Sequence, residues 1–241
     1  MRRIAFFVEG QTEQIFVNRL IKDILGTTQI NIIQKQFRGG VNIPKQEIVR
    51  NSSYSRNPKY EIFLFDCGSD NRVKSEILDN IESLRKRGCE MIVGLRDLYP
   101  LSIEDLERLE KGLKFLPNRL KNERQYFDII IAIHEIEAWF LAETNHLKKI
   151  DKRLTGRFIK EKLGFDPYLI NAQDRVHPAR DLDNIYKLVG KSYTKRYNMT
   201  TRVVNRLDFN RIRNDLRYDI QPLNTLISII EDFKKKDNRK K

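Results

Sequence analysis

Carboxylates recur in this chain where short apolar runs stop. Glu9 follows RIAFFV (3–8), Asp66 follows YEIFLF (60–65), and Asp97 follows CEMIVGL (89–95). Glu135 and Glu137 come after FDIIIAI (127–133). Each acid alone is accounted for as an ordinary exposed residue at a loop or a helix start. Four recurrences at the same place in the pattern point to a set. Several carboxylates gathered at one sheet edge repel at close range. A hard divalent cation relieves that repulsion, and oxygen-only ligands suit Mg²⁺ or Mn²⁺. The chain also carries 46 Lys and Arg against 33 Asp and Glu, a formal net charge of +13. Such a balance favours a polyanionic partner, and a metal site beside cationic surface points to phosphodiester chemistry.

The elements that position these acids follow from periodicity. The apolar runs read as buried strands, joined by INIIQKQF at 30–37. Between them lie stretches with helical spacing: 12–25, 71–87 and 102–121, with Thr12 as the expected cap of the first. Residues 51–59 read as a polar loop and Gly39-Gly40 as a turn. Alternating strands and helices predict an α/β domain with a mostly parallel sheet, in which ligands bind beyond the carboxyl ends of the strands. The expected organisation is an α/β domain at 1–145, a basic, mainly helical lobe at 146–233, and a disordered basic tail at 234–241.

Three segments also carry a resemblance: VEGQTE (8–13), GLRDLYP (94–100) and IAIHEIEAWFLAE (131–143). Together they resemble an uncharacterised bacterial family with a Toprim-like fold, related to nucleases of the overcoming-lysogenization-defect type. The resemblance covers about residues 1–145. It implies that Glu9 is a metal ligand or general acid/base, and that Asp97 matches the first acid of the Toprim Asp-x-Asp motif. Tyr99 stands where the second acid is expected, a departure from the two-acid clamp. Glu135 and Glu137 match the family's His-Glu-x-Glu-Ala signature. Asp66 and Asp70, after the strand at 60–65, compete with Asp97 for the central metal position, although Asp70 also suits a helix start. The implied activity is Mg²⁺- or Mn²⁺-dependent cleavage of nucleic acid, in a phage-defence system with an ATPase partner. This chain carries no NTPase motif of its own.

Two decoys are set aside. Gly190-Lys191-Ser192 lacks the earlier glycine of a phosphate-binding loop, Ile185 standing there, and His134-Glu135-Ile136-Glu137-Ala138 lacks the second histidine of a zinc-protease motif. Lys191, Lys195 and Arg196 are candidates for phosphate binding, and Tyr193 and Tyr197 for stacking on unpaired bases. The plain alternative is a solvated loop with packed tyrosines. Arg175, Arg180, Arg202, Arg206, Arg211, Arg213 and Arg217 extend the positive stretch. Trp139 and Phe140 read as core. With two cysteines, Cys67 and Cys89, and no apolar run long enough to span a membrane, a cytoplasmic protein is expected. Two other functions fit the same acids: a non-catalytic nucleic-acid or partner-binding subunit, and an enzyme acting on a small phosphorylated substrate.

Overall fold

The computed structural model describes residues 1–39 and 44–238. In chain order the sheet-bearing part runs β1 (Arg2–Val8), α1 (Gln11–Leu25), β2 (Ile30–Arg38), β3 (Gln46–Ser53), β4 (Tyr60–Asp66), α2 (Asp70–Lys86), β5 (Cys89–Asp97), α3 (Leu106–Lys114) and β6 (Phe127–Ala132). The chain is α/β, with one six-stranded, mostly parallel sheet of order β3-β2-β4-β1-β5-β6. β1 pairs in parallel with both β4 and β5, β2 pairs in parallel with β4, and β3 runs antiparallel to β2.

The connections explain the layers. From β1 the chain crosses over β4 to reach β2, whereas from β4 it crosses β1 in the opposite direction to reach β5. Right-handed crossovers in opposite directions place α1 and α2 on opposite faces. On the α2 face, Ala5, Phe7, Phe63 and Phe65 pack with Val73, Ile77, Ile81 and Leu84 in one cluster. Strand alternation turns Ile4, Phe6 and Leu64 to the other side. The connection after β5 continues in the same direction as that after β4, and its Leu116 and Leu120 join the α2-face cluster. The winding therefore reverses between the neighbouring strands β1 and β5, where a doubly wound sheet opens its ligand crevice.

Three expectations are corrected. Residues 51–53 belong to the exposed edge strand β3 rather than to a loop; its polar side chains carry no apolar alternation, and backbone pairing to β2 holds it. The helix expected over 102–121 is broken into α3 and two 3₁₀ segments, Ile103–Asp105 and Asn118–Tyr126, because Pro117 cannot continue a helix. Thr12 is not the cap of α1: Gly10 stands there, and the Glu13 carboxylate accepts the Gly10 N–H at 2.9 Å. Gly40 lies outside the described residues.

The chain divides into two compact units, residues 1–96 with 104–131, and residues 97–103 with 132–241. Asp97, Glu135 and Glu137, assigned from sequence to the first domain, thus count with the second unit. That unit is helical: α4 (Glu137–Ala142), α5 (Asn145–Ile150), α6 (Gly156–Leu163) and α7 (Pro178–Lys187) precede further short helices. Trp139 and Phe140 are buried in it, as expected. The last helix spans Gln221–Asn238, so the basic tail is helical through 238, and residues 239–241 lie outside the description. Among the described residues no helix is long and apolar enough to cross a membrane.

Candidate functional site

Two strand-end segments of the second unit are zipped together by backbone hydrogen bonds. Leu98 N–H donates to the Ala132 carbonyl at 2.9 Å and Tyr99 N–H to the His134 carbonyl at 2.9 Å. His134 has φ of 58°, in the left-handed region that few residues other than glycine adopt. Strained backbone of this kind persists where surrounding contacts over-determine it, and it clusters at functional sites. It falls immediately before Glu135.

Three carboxylates converge here on one cation. The Lys195 ammonium donates to Glu135 Oε1 at 2.8 Å, and stands 3.2 Å from Glu137 Oε2 and 3.9 Å from Asp97 Oδ2. Each acid has its other oxygen held by a separate donor. Ile136 N–H donates to Asp97 Oδ1 at 2.9 Å, Ala179 N–H to Glu135 Oε2 at 3.2 Å, and the Tyr193 hydroxyl to Glu137 Oε1 at 2.7 Å. Ala179 lies in the first turn of α7, where the helix dipole favours an anion. One oxygen is pinned and one is aimed inward, three times over. This is how outer donors orient carboxylates around a bound cation.

The electrostatics follow from burial. Glu137 is 0% exposed, and desolvation pushes its carboxyl above the usual range, against the pull of Lys195 and with the push of neighbouring Glu135. Among the described residues its Oε2 accepts no hydrogen bond. Burial of the Lys195 head would by itself lower its pKa, but the carboxylates of Glu137, Asp97 and Glu135 overcome that and hold it above the usual lysine range. The Lys195 side chain as a whole remains 46% exposed.

The donors are all hard oxygens of the kind a divalent metal takes, and the buried Glu137 Oε2 faces the Lys195 ammonium at 3.2 Å without a hydrogen bond. The spacing is that of an ammonium: 2.8 to 3.9 Å, against about 2.0–2.1 Å for a Mg²⁺–oxygen bond. Among the described residues no three acidic, imidazole or thiol groups form a ready-made metal cage.

The remaining sequence candidates are placed as follows. Glu9 belongs to the first unit, just past β1, where its N–H donates to the Leu95 carbonyl of β5 at 3.0 Å. Asp66, also in that unit, accepts from Gly68 N–H at 2.9 Å and from the Gln36 amide at 3.0 Å, and burial raises its pKa. Asp70 opens α2 and pairs with Arg96 at 2.9 Å, the helix-start role anticipated for it. Tyr99 is exposed and meets the His177 ring edge-on, with centroids 6.0 Å apart. Tyr193 is 3% exposed, which leaves no open ring face for a base and corrects its expected stacking role. Lys191 donates to the Ile150 carbonyl, and Lys195 faces acids rather than solvent phosphates. Arg196 and Tyr197 remain exposed where the helix Tyr197–Val204 begins.

Residues 8–218 match the family model of a domain of unknown function, DUF4276. The chain belongs to that family. No curated protein and no solved structure matches it. The span matched by the DUF4276 model takes in the whole cluster, from Asp97 to Lys195. Sequence reasoning missed that Lys195 and Tyr193 serve the acids, and missed the Ala179 N–H altogether. Separations of 60 and 56 residues leave no periodic signal to follow.

Proposed function

We propose that this chain is a metal-dependent phosphodiesterase acting on nucleic acid, with Asp97, Glu135 and Glu137 holding Mg²⁺ or Mn²⁺ in the position that the Lys195 ammonium marks. The observation that supports it is the threefold pattern of one pinned and one inward-facing oxygen. When bound, the metal supplies a Lewis acid and a water of lowered pKa for attack on phosphorus. The chain's own residues hold the carboxylates in register through Ile136, Ala179 and Tyr193. Lys195, displaced from the acids by the metal, would offer its positive charge to the non-bridging oxygens of a phosphodiester. Exposed Arg180 and Arg196 extend that positive approach. Glu9 takes the ligand or acid–base role that the Toprim resemblance implies. The same resemblance proposes a Toprim-like nuclease working with an ATPase in phage defence.

A second reading has its own observation. Lys195 already neutralises the acids, and Tyr99 replaces an expected ligand, which favours a non-catalytic nucleic-acid or partner-binding subunit. The deciding experiment pairs Mn²⁺ titration calorimetry with cleavage of labelled single- and double-stranded DNA and RNA, for wild type, Asp97→Asn, Glu137→Gln and Glu9→Gln. The expected result is saturable Mn²⁺ binding by wild type and EDTA-sensitive cleavage that falls at least about 100-fold in each variant, while nucleic-acid binding survives. Cleavage that persists in EDTA or in Asp97→Asn would refute the metal site. Binding of nucleic acid without cleavage or Mn²⁺ uptake would establish the second reading.

A further inference from the structure

The helical unit contains a cavity of about 400 Å³, within the roughly 300–1,000 Å³ range of small-molecule sites. Its wall includes Arg211, Asp219, Tyr168, Ile170, Pro167 and Leu216. None of these belongs to the acid cluster.

The placement of Arg211 explains a buried acid that the proposed chemistry does not use. Glu143 is fully buried, a costly position for a carboxylate unless it is well bonded. It accepts the backbone N–H groups of Asn145 at 3.0 Å, His146 at 3.1 Å and Asp208 at 3.2 Å. It also accepts from Arg211 Nη1 at 3.4 Å, which donates to Thr144 Oγ1 at 3.0 Å. One end of the guanidinium fork is thereby fixed. Its Nε and Nη2 groups have no partner among the described residues, and neither has the Asp219 carboxylate. A fixed fork with free donors suits a phosphate or carboxylate oxygen pair.

The backbone between these two charges is unusual. Phe209–Arg211 and Arg217–Asp219 are α-helical, and Ile212–Leu216 between them is a π-helix. On a regular α-helix, residues 211 and 219 would lie about 80° apart around the axis. The wider π turn closes most of that angle and moves Leu216 toward the same face. Single π turns occur frequently at functional sites. Here the turn places a cation, an apolar side chain and an anion along one wall.

We propose that this cavity binds a nucleoside monophosphate. The phosphate is held by Arg211, the flat base lies against Tyr168, Ile170 and Leu216, and a ring amino or imino group donates to Asp219. The inference does not rest on the phosphodiesterase reading, since the cavity shares no residue with the acid cluster.

The test is calorimetry on the full chain in EDTA, which takes divalent metal out of the result. The probes are adenosine, guanosine, cytidine and uridine monophosphates, with adenosine and inorganic phosphate as controls. At least one monophosphate should bind saturably, at least about tenfold more tightly than either control. Arg211→Gln should weaken it about tenfold and Asp219→Asn about fivefold, the cost of one charge-assisted hydrogen bond each. Should Arg211→Gln fail to fold once Glu143 loses its partner, Asp219→Asn, on an exposed residue, decides alone. No saturable binding, binding of phosphate as tight as of any nucleotide, or unchanged affinity in Asp219→Asn would overturn the proposal.

Discussion

Replacing Lys195 by methionine removes one positive charge and keeps most of the aliphatic stem. Three carboxylates, one of them fully buried, are then left facing one another around an empty centre. Removing one partner of a fully buried pair costs about 3–5 kcal/mol, whereas an exposed pair contributes about 0–1. Lys195 lies between these limits, its stem 46% exposed and its head on buried oxygens. The expected loss at neutral pH is about 2 kcal/mol, a drop in Tm of roughly 5 °C for a chain of this size. The pH dependence carries the diagnosis. Lys195 has a folded-state pKa above its unfolded one, so its contribution is complete at neutral pH and is lost only as pH rises through the alkaline range. Glu137 also has a raised folded-state pKa, so its charged form is a liability at neutral pH that disappears as protons bind in acid. Without Lys195 that carboxyl rises further. The deficit of Lys195→Met should therefore be largest near pH 7–8 and shrink toward pH 5. Denaturant unfolding of both proteins across that range is the assay. A loss below about 0.5 kcal/mol that is flat with pH would show that the ammonium does not sit on the acids. Added Mn²⁺ should raise the Tm of the variant more than that of wild type, because the cation position is vacated. Equal shifts would leave the ion-pair geometry standing and remove its link to metal.

Two further outcomes follow from burial and charge. Cys67 and Cys89 are both fully buried, and burial pushes the Cys89 thiol up to about 11 and the Cys67 thiol higher still; neither should react with a thiol reagent at pH 8 until the chain is unfolded, and fast labelling of the native protein would contradict the packing around β4 and β5. Nucleic-acid affinity should fall linearly with log salt, and replacing exposed Arg180 and Arg196 together by Ala should lower the slope by about 2, measured by fluorescence anisotropy. An unchanged slope would place the binding face elsewhere.

Local pattern was enough for most elements and for the acids. β1, β2, β4, β5 and β6 and helices α1 and α2 announce themselves because core burial imposes a period on consecutive residues. β3 does not, because an exposed edge strand is held by backbone pairing that any polar sequence can make. The break at Pro117 goes unread, because helical spacing on both sides masks the proline. Asp97, Glu135 and Glu137 could be singled out because a strand end is a local position. What surrounds them could not. Lys195 and Tyr193 lie in a basic, tyrosine-bearing loop whose composition suits nucleic acid equally well, and only the tertiary fold turns one onto three carboxylates and buries the other against Glu137. The sequence thus determined which strand ends carry charge, since that depends on neighbours a few residues away. Which oxygens are pinned, which face a common cation, and that the cation is a lysine 60 residues along the chain were decided by packing, because those contacts join segments that no sequence period connects.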